Sequence, residues 1–246
     1  GKWLRWIEDR YGSVENAEKD WEFKVTRPDG SVGGPTDEQA TNDGPWLKMV
    51  AAYRRFADDI ISKGYGRAVR IISEVDPNHL FGVRTGFGGT GQPGIAHYFP
   101  FDLISGIKHL HYTSPEGYGL GGDYINYRRA GLLNAYGRFV SGGKPVFWSE
   151  YGVPHYFQGN TTQWSEEGQT AYFRDMHRMF IETDVSGGAG WWWPGGHRVD
   201  EDSDFGMINP DRRPRPAALE ILKVAEQYKT PPKRTPPDYW IEIDRD

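Results

Sequence analysis

A carboxylate that ends a short apolar strand is held rigid from behind and left open in front, which suits attack, charge stabilisation or proton transfer. Glu150 is such a residue, in Lys144-Pro145-Val146-Phe147-Trp148-Ser149-Glu150-Tyr151-Gly152-Val153-Pro154. Residues 145–149 are apolar apart from the serine, and Gly142-Gly143 before them and Gly152 and Pro154 after them predict a buried strand ending at Glu150. The side-chain period of two puts Val146, Trp148 and Glu150 on one face, so the acid is expected to share its side with an indole. The position suits a catalytic group and a salt-bridged structural Glu equally well.

Other candidates lie at strand ends and on the loops that follow. Arg84 ends the apolar run 80–84 and carries the charge to hold a substrate hydroxyl or a carboxylate. His109 and His111 share one face of the run 106–112, where substrate contact and a hydrogen bond at the strand end are both open. His155 and Tyr156, on the loop after Glu150, are placed to line a subsite, and Trp148 is placed to wall one. Glu116, in Thr113-Ser114-Pro115-Glu116-Gly117-Tyr118, is the best in-chain substitute for a second acid, although a loop glutamate is ordinarily solvated. The 10 Trp, 14 Tyr and 12 Phe fit stacking on sugar rings, and equally a large aromatic core with an exposed rim.

Composition removes several classes. A net charge of −5 without a basic stripe offers nucleic acid no electrostatic footing. The chain has no Cys, which excludes disulfides and thiol chemistry while leaving the compartment open. No apolar run approaches the roughly 20 residues that cross a bilayer, so no membrane partner is expected. Asp200-Glu201-Asp202-Ser203-Asp204 lacks the spacing of a calcium loop and reads as a solvated acidic lid, so no metal is expected. The glycine-rich loop 86–94 has no Lys-Ser/Thr pair and opens no helix, which argues against phosphate. No Gly-x-Ser-x-Gly elbow supports a serine hydrolase.

The elements that must position these residues alternate. Helices are predicted over 2–11, from Ser13 as N-cap to 21, over 45–64 with Leu47, Val50, Ala51, Phe56 or Ala57, and Ile60-Ile61 inward, and again over 66–75. Asp29-Gly30 signals a hairpin between them. Strands are then expected at 80–84, 106–112, 145–149 and 189–193, with helices at 124–140, 164–183 and 216–228 between and after them. Strand–helix alternation predicts an α/β fold with a parallel sheet, whose sites lie beyond the C-terminal ends of the strands. Four main strands cannot close a barrel, so the sheet is open or belongs to something larger. Residues 229–237 read as a Pro-rich linker and 238–244 as the opening of a strand of a following domain, as though the chain were cut from a longer one.

Pro-Val-Phe-Trp-Ser-Glu-Tyr-Gly (145–152), Trp-Trp-Trp-Pro-Gly-Gly (191–196) and Phe-Gly-Met-Ile-Asn-Pro-Asp-Arg-Arg-Pro-Arg-Pro (205–216), in that order, resemble the C-terminal half of a clan A glycoside hydrolase. Residues 3–21 are similar to the helix that follows the acid/base loop of such enzymes, so the likeness covers residues 1–228. It implies the second half of a (β/α)8 TIM barrel and retaining hydrolysis of β-linked glycosides. It further implies Glu150 as nucleophile, Tyr112 as the residue that orients it, and Trp193 as the platform for the sugar. No cofactor is implied. The family's Asn-Glu pair, which supplies the acid/base, occurs nowhere in the 246 residues. The resemblance therefore implies a partner, an N-terminal half-barrel on the same or a second polypeptide. A catalytically silent carbohydrate-binding half-barrel or interaction subunit is the alternative.

Overall fold

The computed structural model describes residues 1–84, 106–157 and 166–230, which form two compact units. The glycine-rich loop 86–94 and the tail from 231 onward lie outside the described residues.

The first unit, residues 1–78 with 106–109, is helical. Helix α1 (Lys2–Tyr11) stops at Gly12, whose φ of 81° costs a glycine nothing. Helix α2 (Val14–Trp21) starts at Ser13, which accepts the Asn16 N–H as expected of an N-cap. The predicted hairpin closes by a Thr26–Val32 bridge, and Thr36 and Gln39 form a capping box on α3 (Asp37–Thr41). Trp3 stacks on Trp6 and Trp21 and meets Tyr53 edge-on. With Ile7, Ala17, Met49, Val50, Ala52 and Phe56 these rings make the core of the unit. Much of the aromatic excess is thus spent on packing, where each buried ring contributes about 1.5–3 kcal/mol.

Two expectations fail here. Helix α4 runs unbroken over Leu47–Val75, through Gly64 and Gly66. A Cβ at Gly66 would press on the His109 ring, which also bonds Ser62 Oγ at 3.0 Å, so the glycine admits a neighbour instead of ending a helix. The buried stripe of α4 is Met49, Val50, Ala52 and Phe56, while Leu47 and Ile60 are exposed.

The second unit, residues 79–84, 110–157 and 166–230, is α/β. Strands β1 (Glu116–Gly117), β2 (Phe147–Tyr151) and β4 (Gly187–Gly190) form a parallel sheet in the order β1-β2-β4. Parallel bridges Arg84–Ser114 and Thr113–Val146 extend the pairing to the 81–84 segment. Helices α5 (Tyr124–Ser141), α6 (Glu166–Glu182) and α7 (Pro216–Lys229) accompany the sheet. A short antiparallel ribbon pairs β3 (Tyr156–Phe157) with β5 (Ser203–Asp204). The core joins Trp148 and Tyr151 of β2 to Tyr172, Phe173, Met176 and Phe180 of α6.

The second predicted strand is displaced. Residues 106–107 make a helical turn, His111 exchanges bonds with Phe81, and sheet pairing begins only at Thr113. Strand β2 also lies two residues later than expected, and its end at Tyr151 brings Glu150 inside it as the penultimate residue.

Candidate functional site

Glu150 does not share a face with Trp148. The register runs Phe147–Gly187, Trp148–Gly188, then Tyr151–Gly190, so β2 spends one more residue than β4 over this interval. Such a bulge resets the alternation of side chains. Trp148 and Tyr151 consequently both enter the core among the α6 side chains. Glu150 is left partly open, its side chain 17% exposed.

Two donors hold its carboxylate. The Tyr118 hydroxyl, directly after β1, donates to Oε1 at 2.5 Å. Arg84 donates from Nη1 to Oε2. Burial, then the hydrogen bond to Glu150 and its charge, raise the Tyr118 pKa, so the phenol keeps the proton it donates. Glu116 faces Glu150 in register across the β1–β2 pair, and its Oε1 forms an ion pair with Arg84 Nε. At 4% exposure it is no solvated loop residue. Burial raises its pKa, Arg84 opposes that, and the Glu150 charge adds to it.

The predicted site residues divide. Arg84 and Glu150 come together, with Arg84 serving two carboxylates of the chain itself. Tyr112 sits elsewhere: its ring packs edge-on against Phe147 at 5.9 Å and occupies the space above Gly82, where a Cβ would strike it. Tyr118 has the place beside Glu150 that was expected of Tyr112. The available signal was its position just past the strand end, obscured by the misplaced start of that strand. Trp148 is a correction too, since it is fully buried and donates its indole N–H to Asn134 Oδ1 at 2.7 Å. His111 is tied to the 81–84 segment before the sheet begins, its Nδ1 accepting the Phe81 N–H at 2.8 Å.

Beyond β4, Trp191 continues the strand by donating its N–H to the Tyr151 carbonyl, and its ring stacks on Trp192 at 4.9 Å under the Arg198 guanidinium. Trp193 stands 67% exposed next to them. His155 bonds Asp204 through its backbone N–H, and its Nε2 lies 3.3 Å from Asp204 Oδ2. Tyr156 pairs with Asp204 in the β3–β5 ribbon. The acidic run is therefore only partly a solvated lid. Ser203 and Asp204 are buried, and Asp204 holds the buried Arg215 through both carboxylate oxygens. Burial would raise the Asp204 pKa, but Arg215 and the Gly206 N–H together bring it below the usual range.

The arrangement is one ionisable carboxylate at a strand end, gripped by a phenol and a guanidinium, with a row of indoles ending a nearby strand. Its backbone frame is known. A β-galactosidase of the Antarctic haloarchaeon Halorubrum lacusprofundi superposes on 93% of the chain with a TM-score of 0.65 at 15% identity. A β-galactosidase of the psychrophile Marinomonas ef1 does so on 93% with a TM-score of 0.59 at 16% identity. The chain has the fold of part of these enzymes. It spans 35% of the length of each. No family model and no curated protein matches it.

Proposed function

We propose that residues 1–228 are the second half of a (β/α)8 barrel, and that the barrel is a retaining β-glycosidase of clan A with Glu150 as its nucleophile. The observation that carries this reading is the Glu150 carboxylate held at the tip of β2 by Tyr118 and Arg84. Parallel neighbours that follow chain order, from the 84 bridge through β1 and β2 to β4, support it, as does the fold shared with two β-galactosidases.

In this mechanism Glu150 attacks the anomeric carbon as the glycosidic bond breaks, giving a glycosyl ester. A second carboxylic acid, about 5–5.5 Å away, protonates the departing oxygen. The same group, now ionised, takes a proton from the water that opens the ester and frees Glu150. Tyr118 and Arg84 keep Glu150 aimed, Trp193 offers the sugar a flat apolar face, and the loop of His155 and Tyr156 borders the cleft. The second acid comes from polypeptide outside these 246 residues, because the sequence has no Asn-Glu pair and Glu116 is committed to Arg84. The substrates are β-linked glycosides, with β-galactosides the first to assay.

The test is mechanism-based trapping. A 2-deoxy-2-fluoro-β-galactoside incubated with the protein joined to its N-terminal half leaves a fluoroglycosyl ester on the peptide containing Glu150, and Glu150→Gln abolishes both the label and turnover. The isolated chain shows neither. Sugar binding with unchanged behaviour of Glu150→Gln identifies a silent carbohydrate-binding half-barrel instead, and robust turnover by the chain alone refutes the half-site.

A further inference from the structure

Glu116 takes no part in the reaction just described, yet it is a buried carboxylate in register with Glu150 on the adjacent strand. Its side chain is 5% exposed, whereas that of Arg84 is 57% exposed. Arg84 joins the two acids, by an ion pair of its Nε edge with Glu116 Oε1 and a hydrogen bond from Nη1 to Glu150 Oε2. Arg84, Glu116 and Tyr118 are the charged or titratable groups that meet Glu150 in the described residues.

A guanidinium is a rigid planar fork, so fixing its Nε edge on one group fixes the direction of its other edge. A largely exposed arginine held only by Glu150 would have to give up most of its rotamer freedom for one contact. It would also lose its counter-charge whenever Glu150 becomes an ester. The buried acid supplies what Glu150 cannot, a partner whose position and charge the chemistry does not touch.

We propose that Glu116 is a positioning residue that anchors Arg84 by its Nε edge, so that Nη1 stays directed at Glu150 throughout the catalytic cycle. This rests on Glu150 being the nucleophile. The raised pKa of Glu116 means that the anchor loses its charge, as pH falls, sooner than an exposed glutamate would.

Two measurements test it. In the chain labelled with 15N-arginine, the Arg84 Nε–H resonance, assigned by its loss in Arg84→Met, exchanges slowly with water in the wild type and in Glu150→Gln. In Glu116→Gln it exchanges about ten-fold faster or broadens away. This readout needs no turnover, so it stands or falls separately from the assignment of the nucleophile. In the assembled enzyme Glu116→Gln lowers kcat about ten-fold with KM little changed, Glu116→Asp restores part of the loss, and adding Glu116→Gln to Arg84→Met costs nothing more. Full additivity of the two substitutions overturns the proposal, as does unchanged exchange in Glu116→Gln. Should Glu116→Gln not fold, loss of the slow signal in Glu150→Gln, with Glu116 intact, overturns it as well.

Discussion

Tyr118→Phe removes a single hydroxyl and leaves the ring, which meets Phe205 edge-on at 6.4 Å. What disappears is the 2.5 Å hydrogen bond to Glu150 Oε1. A hydrogen bond to an ionised group contributes about 1.5–3 kcal/mol. In the reaction proposed for Glu150, the share of this energy felt only in the transition state sets the rate effect, and its loss lowers kcat/KM by up to about 10- to 150-fold. Arg84 remains on the other oxygen, so activity is reduced and not abolished. Little apolar packing changes, but the bond is also made in the free protein, so the thermal midpoint should fall by a few degrees. Tyr112→Phe is the control: the ring still covers Gly82 and still meets Phe147, so activity stays within about two-fold of wild type. The assay is hydrolysis of an aryl β-glycoside by the assembled protein, with thermal midpoints measured in parallel. A Tyr112→Phe enzyme that loses what Tyr118→Phe keeps would refute the reasoning. So would two fully active variants.

Further predictions address the frame of the site. His177 lies between the hydroxyls of Tyr151 and Tyr228, at 3.0 and 2.8 Å, and burial pushes its pKa down to about 4. The unfolded chain, with a histidine pKa near 6.5, therefore binds the proton first, and stability falls from about pH 6.5 to pH 4 by roughly 3 kcal/mol in all. An NMR midpoint for the His177 imidazole above 6 would contradict this. Asp204→Asn leaves Arg215, 4% exposed, without its counter-charge, and should cost about 3 kcal/mol or more in denaturant unfolding. A loss below about 1 kcal/mol would show that the pair does not latch the loop. Trp193→Ala, at an exposed ring, should leave stability within about 0.5 kcal/mol of wild type while weakening sugar binding roughly five-fold. Calorimetric titration with the product sugar reads the second effect, and unchanged affinity removes Trp193 from the site.

Much of the frame was legible without coordinates because it follows from local rules. Ser13 caps α2 because its hydroxyl reaches the Asn16 N–H whatever the rest of the chain does. Helices α5, α6 and α7 agree with their predicted spans to within a few residues, since their apolar spacing and flanking glycine and proline act within single turns. Strand–helix alternation announced the parallel pairing of β1, β2 and β4.

The chemistry at the strand tips needed the third dimension. By itself the sequence determined that an acid lies near the C-terminal end of a short apolar run and that an arginine ends another such run. It also determined that no Asn-Glu pair accompanies them. Which side of the strand the acid faces was decided by a bulge between the Trp148–Gly188 and Tyr151–Gly190 pairs, beside a glycine, Gly188, whose missing Cβ makes room for the Tyr151 ring. Gly66 could not be told from a helix terminator until His109 was seen lying against it. The choice of Tyr118 over Tyr112 turned on where β1 begins pairing, which depends on Val146 and Glu150 more than 30 residues away. Local propensity is summed along the chain, whereas register and facing are settled between strands, and only tertiary pairing brings those strands together.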